Sequence, residues 1–131
     1  MATQLEPADK SMMEGLFEEV SNYFFLLSEP TRLKILHALC HGERPVGEVV
    51  SEIESTQANV SRQLNMLYRA RILGRRKEGT LVYYRIEDQS TVELCRMVCN
   101  QMASKLRSRR TGVIGVVIPV RQTLGNPPGK N

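Results

Sequence analysis

Two neighbouring stretches decide the fold: Ser55-Thr56-Gln57-Ala58-Asn59-Val60-Ser61-Arg62-Gln63-Leu64, and then Arg75-Arg76-Lys77-Glu78-Gly79-Thr80-Leu81-Val82-Tyr83-Tyr84. In the first, Val60, Leu64 and Leu67 recur at steps of four and three, which gathers them on one face of a helix. Ser55 or Thr56 supplies the N-cap, because a short side-chain oxygen satisfies an orphan N–H of the first turn. The opposite face carries Gln57, Ser61, Arg62 and Asn65. In the second stretch, β-rich runs at 72–77 and 80–86 flank Glu78-Gly79, the pattern of a hairpin with a tight turn.

Working outward, residues 11–27 place Met13, Leu16, Phe17, Val20, Phe24 and Leu27 at helical spacing. Ser28 caps a second helix, with Glu29 and Pro30 in its first turn, running through Leu33, Leu36 and Leu39 and stopping at Gly42. Pro45 opens a short third helix carrying Val46, Val49, Val50 and Ile53. Beyond the hairpin, residues 88–107 return to helical periodicity, with Val92, Cys95, Cys99, Met102 and Leu106 on one stripe. The order is α-α-α-α-β-β-α: a mainly helical chain with a β-hairpin wing, the winged helix-turn-helix arrangement. The expected organisation is a flexible arm at 1–10, a winged-helix DNA-binding and dimerisation domain at 11–107, and a flexible tail at 108–131. That tail includes a short apolar run at 113–120.

The chain has 131 residues and a formal net charge of +4, which hides a strong partition. Residues 1–29 hold six acids against one base, whereas residues 57–86 hold seven bases against one acid. Basic charge concentrated around a groove-sized helix is the footprint of a polyanion partner, here double-stranded DNA. No apolar stretch is long enough to span a bilayer, and residues 1–7 lack the basic and apolar regions of a secretory signal, so the expected compartment is the cytoplasm. Three cysteines, an odd number, argue against a disulfide framework. Paired carboxylates, a nucleophile with its base, a phosphate-cradling glycine loop and a metal triad are all missing from the sequence, so no enzyme is expected.

A recognition helix needs an apolar anchor face and an outer face that reaches base edges. Gln and Asn pair adenine and Arg pairs guanine, each through two hydrogen bonds. The expected DNA contacts from the helix are Thr56, Gln57, Asn59, Ser61, Arg62 and Asn65. In the wing they are Arg75, Arg76 and Lys77 on flanking phosphate, with Tyr84 beside them. Tyr83 and Tyr84 alternate faces, so one of the two belongs to the core. A protein-binding winged helix is the rival reading, and the polar face of Gln57, Ser61 and Arg62 speaks against it.

Residues 28–86 resemble the arsenic-repressor/metallothionein-repressor (ArsR/SmtB) winged-helix family. The resemblance rests on Leu27-Ser28-Glu29-Pro30-Thr31-Arg32-Leu33-Lys34-Ile35-Leu36, Gln57-Ala58-Asn59-Val60-Ser61-Arg62-Gln63-Leu64 and Gly79-Thr80-Leu81-Val82-Tyr83-Tyr84. It implies a homodimer built on the first and last helices that binds an inverted-repeat operator, represses, and lets go when an inducer binds. Apolar stripes on both terminal helices of so small a domain point to a dimer independently.

The family's cysteine motif in the third helix is missing from Val46-Gly47-Glu48-Val49-Val50-Ser51-Glu52-Ile53. Its last-helix zinc site is missing too, since Asp88 is followed by no histidine, and His37 and His41 belong to the second helix and its end. What remains is Cys95 and Cys99 at i, i+4 on the last helix, with a third thiolate to come from Cys40, from the other subunit or from a small thiol. Three readings stay open: small buried hydrophobes, a soft-metalloid site for As(III) or Sb(III) as inducer, or a redox or reactive-sulfur switch that needs helix distortion, a Cys40 partner or a cross-subunit bond. A disulfide between Cys95 and Cys99 within an intact helix is disfavoured because the Cβ vectors do not converge. No cofactor is required.

Overall fold

The computed structural model describes residues 10–109. The expected arm at 1–10 (except Lys10), the apolar run at 113–120 and nearly all of the tail lie outside the described residues. The elements are α1 (Lys10–Leu26), α2 (Pro30–Leu39), β1 (Arg44–Pro45), α3 (Val46–Glu52), α4 (Gln57–Arg69), β2 (Leu73–Glu78), β3 (Leu81–Ile86) and α5 (Gln89–Arg109). The winged helix-turn-helix order is as expected, with one addition. Arg44 and Pro45 pair antiparallel with Tyr84 and Tyr83, so the wing is a three-stranded sheet in the order β1-β3-β2. Two residues ending in proline carry no strand signal of their own; β3 recruits them.

Local chemistry sets the helix boundaries. Glu29, not Ser28, caps α2: its carboxylate accepts from the Arg32 N–H at 3.1 Å, while Ser28 Oγ donates back to the Phe25 carbonyl at 2.7 Å. Pro30 opens that helix, where its missing N–H costs nothing. Thr56 caps α4, accepting from the Asn59 N–H at 3.1 Å. The end of α4 is a Schellman motif. The Ile72 N–H bonds the Leu67 carbonyl at 3.0 Å and the Arg71 N–H bonds the Tyr68 carbonyl at 2.9 Å. Arg71 takes the left-handed conformation at φ 66° that glycine usually occupies, and Ile72 and Leu67 close the motif as a buried pair. The hairpin turn is Gly79-Thr80, one residue later than expected. Gly79 at φ 66° supplies the positive φ that a primed turn needs.

The core is formed by Ile35, Leu36, Leu39, Val49, Ile53, Val60, Leu64, Leu67, Ile72, Leu73 and Tyr84. It seats α4 on α2 and α3 and closes over the base of the sheet. On α2, Leu33 is exposed, whereas Ile35 is fully buried. α1 buries no residue, and α5 buries only Thr91, Val92 and Ala103. The two are pinned together by polar atoms. Thr91 Oγ1 donates to the Asp88 carboxylate at 2.8 Å, which leaves it to accept from Tyr23 OH at 2.7 Å.

Candidate nucleic-acid interface and thiol pocket

On α4 the expected face is present. Gln57, Ser61, Arg62 and Asn65 are all exposed, while Val60, Leu64 and Leu67 are fully buried beneath them. Thr56 is exposed at the N-cap, beside the free N–H groups of the first turn, where an anion binds well. Asn59 is partly buried and committed to its neighbours. Its Oδ1 accepts from Arg62 Nη2 at 2.9 Å and from Gln63 Nε2 at 3.0 Å, and its Nδ2 donates to Ser55 Oγ at 2.9 Å.

The wing departs from expectation. Tyr84 is the core tyrosine, 5% exposed and edge-on to Tyr68, so it is removed from the set of outward contacts. Register explains this: Tyr84 pairs with Arg75 and shares the face of the hairpin that closes on α4, while Tyr83 pairs with Arg76 on the other face. Arg75 stacks on the Tyr68 ring at 4.0 Å and donates to Tyr84 OH at 3.3 Å. Arg76 lies over Tyr83 and is held by two carboxylates, Glu43 through Nε and Nη2 at 2.9–3.1 Å and Glu78 through Nη1 at 2.6 Å. The hydrogen bond from Arg76 holds the Glu43 carboxyl below the usual carboxylate range, and the same contacts raise the Arg76 pKa. Arg85 pairs with Glu87 at 2.8 Å. Lys77, at the tip, makes no ion pair among the described residues. A sequence count treats these cations alike; only register and the reach of Glu43 across 33 positions separate them.

One polar feature escaped the sequence reading. Arg32 is 4% exposed, and its guanidinium meets no carboxylate among the described residues. It donates to the Leu26 carbonyl at 2.7 Å, to the Phe25 carbonyl at 3.2 Å and to Gln63 Oε1 at 2.5 Å. The first two acceptors lie at the C-terminal end of α1, the negative end of its dipole.

The three cysteines meet at one place. Cys40 at the end of α2 and Cys95 and Cys99 on α5 line an apolar pocket of about 60 Å³, with Leu36, Val92 and Arg96. All three are reduced and partly buried. Burial pushes the Cys95 thiol up, Cys99 adding to the effect. Burial also raises Cys40, partly offset by Arg96. Cys40 Sγ lies 3.8 Å from Nδ1 of His41. Among the described residues, no three His, Cys, Asp or Glu side chains are grouped tightly enough to hold a metal ion, so the thiols share a pocket without forming a ready-made site.

With this geometry in place, comparison with known proteins decides the family. The profile described as "Bacterial regulatory protein, arsR family" matches residues 29–74, from the cap of α2 to the start of β2. The HTH-type transcriptional regulator MJ1325 of Methanocaldococcus jannaschii is 35% identical over 83 residues, 63% of this chain and 93% of that protein. This chain belongs to the ArsR family. As an ArsR-family member it is a DNA-binding transcriptional repressor and not an enzyme. Two solved structures have the same fold. The homodimeric winged helix-turn-helix domain of Mb0332 from Mycobacterium bovis superposes with a TM-score of 0.65 at 26% identity, covering 86% of this chain and all of that one. The antimony-specific repressor AntR gives 0.64 at 27% identity, covering 81% and 99%. No described helix of this ArsR-family chain is long and apolar enough to cross a membrane.

Proposed function

We propose that this chain is a two-fold homodimer that holds an inverted-repeat operator and releases it when a thiol-reactive inducer engages the pocket between α2 and α5. The observation that carries the inducer reading is the convergence of Cys40, Cys95 and Cys99 on that one pocket. The dimer reading rests on unpartnered apolar area: Phe17, Phe24 and Phe25 on α1 and Met97, Met102 and Leu106 on α5 are all exposed in the single chain. Homodimeric Mb0332 has the same fold. A two-fold pair would set its recognition helices about one DNA turn apart, or a small multiple of it. Gln57, Ser61, Arg62 and Asn65 would read base edges, and Lys77 and Arg75 would lie along flanking backbone.

Trivalent arsenic or antimony is the preferred inducer, because such ions favour soft thiolate ligands and three thiols line the pocket. The likeness to AntR supports this choice. Since the thiols are not grouped in advance, binding would draw α2 and α5 together, and that movement is what α4 would feel through its seat on α2. Oxidation is the second reading, favoured by Cys40 facing the last helix. A hydroperoxide would take two electrons: one thiolate attacks the peroxide oxygen and expels an alcohol, leaving a sulfenic acid. The second thiol then closes the S–S bond and expels water.

Fluorescence anisotropy of reduced protein on its own upstream DNA, titrated with arsenite, antimonite, zinc, persulfide and peroxide, tests this. The effective inducer should weaken binding roughly 5- to 150-fold, the usual range of allosteric coupling. Intact mass separates bound metalloid from loss of two hydrogens. If Cys95→Ser and Cys99→Ser respond like wild type, the pocket is not the sensor.

The wing yields a further expected result. Glu43→Gln removes a carboxylate that engages Arg76, so affinity for any duplex should rise and the slope of log affinity against log salt should steepen by up to about one. An unchanged slope would show that Arg76 never reaches phosphate.

A further inference from the structure

The hydrogen bonds joining Arg32, Gln63, Asn59 and Arg62 have a direction, and the direction originates in the core. A guanidinium only donates, so the Gln63 atom facing Arg32 must be its oxygen, at 2.5 Å. This turns Gln63 Nε2 toward Asn59, which must answer with Oδ1, at 3.0 Å. Asn59 Nδ2 is thereby sent to Ser55 Oγ at 2.9 Å, and the Oδ1 that faces Gln63 is also the acceptor for Arg62 Nη2 at 2.9 Å. Two amides, each of which could point either way, lie between two donor-only groups, the exposed Arg62 and the buried Arg32. Arg32 is itself fixed by the carbonyls of Leu26 and Phe25 at the end of α1.

We propose that Arg32 and Gln63 are positioning residues for base recognition: they set the polarity of Asn59, which in turn holds the Arg62 guanidinium in the pose it presents to the groove. The proposal rests on the reading that Arg62 contacts a base edge. A flexible arginine must be ordered when it binds, at a cost in affinity, whereas one already held by an acceptor is pre-organised. Gln63 is 7% exposed, so it acts through its neighbours rather than by touching DNA.

Gln63→Glu separates positioning from support. The variant is nearly isosteric and strengthens the bond to Arg32 by making it an ion pair, so the fold and Tm should hold. Its carboxylate only accepts, however. Asn59 must then turn Nδ2 toward it, and Arg62 loses its acceptor. Arg32→Lys does the reverse. It keeps a donor-only group at the buried end but loses the bidentate grip on α1, so Tm should fall while the amides keep their direction.

The measurement is binding-site selection from a random duplex library, with Tm recorded for each variant. Arg62→Ala should erase preference at one motif position, a loss of about tenfold or more in discrimination. If it erases nothing, the reading of Arg62 fails and the proposal with it. Given that loss, Gln63→Glu should relax the same position at unchanged Tm, and Arg32→Lys should keep it at lower Tm. A folded Gln63→Glu variant with that position intact overturns the proposal. So does a loss of preference in both variants that simply tracks Tm, which would make the chain of bonds a structural support only.

Discussion

Phe24→Asp is expected to leave a folded chain that no longer dimerises and binds its operator roughly 100- to 10,000-fold more weakly, the range by which linked sites exceed single ones. Phe24 is 53% exposed and packs edge-on to Tyr23 with ring centroids 5.7 Å apart. It contributes nothing to the core below α2, so a charge there does not disturb the seat of α4. In a two-fold interface the substitution acts twice, once from each copy, and places two carboxylates in an apolar contact where they find no water. Sedimentation would report the mass, and anisotropy the affinity. A variant that stays dimeric with full affinity would move the interface away from α1.

Leu64→Ala is the second large effect, and it acts through stability. The side chain is 1% exposed, at the centre of the cluster that joins α4 to α2 and α3. Truncating a fully buried leucine costs about 2–5 kcal/mol, the transfer term plus the cavity left behind. For a domain of this size the Tm should fall by roughly 10 to 30 °C, against a total stability of only about 5–15 kcal/mol. DNA binding would fail in step with unfolding and recover on cooling. A drop smaller than about 5 °C in a calorimetric scan would show that α4 does not depend on this anchor.

The sequence revealed the elements whose signals are local and periodic. Val60, Leu64 and Leu67 gave the inward face of α4, Ser55-Thr56 the place of its cap, and Gly79 the tight turn, because spacing and backbone conformation fix these within a few residues. What was not legible depends on long-range pairing. Tyr83 and Tyr84 look equivalent until β1 and β2 fix the register, and then only Tyr84 is core. Arg76 reads as a free cation until Glu43 is brought beside it. Arg32 looks like a surface charge on a helix; its burial follows from the end of α1 folding back over it. The two candidate sites differ in the same way. The groove face could be read from one helix, whereas Cys40 joins Cys95 and Cys99 only because α2 packs against α5.

The grip of Glu43 and Glu78 on Arg76 also bears on how such a repressor would search a genome. A phosphate approaching the wing meets an arginine already engaged, so it must displace a tethered rival rather than simply add a contact. On random sequence, where few other bonds would hold the complex together, the carboxylates would win back the guanidinium quickly and the protein would move on. At an operator, the contacts proposed for the recognition helix would hold the phosphate beside the guanidinium for longer. Two acidic side chains would thereby weaken every complex, and the random encounters, with the fewest other bonds, would be the most shortened.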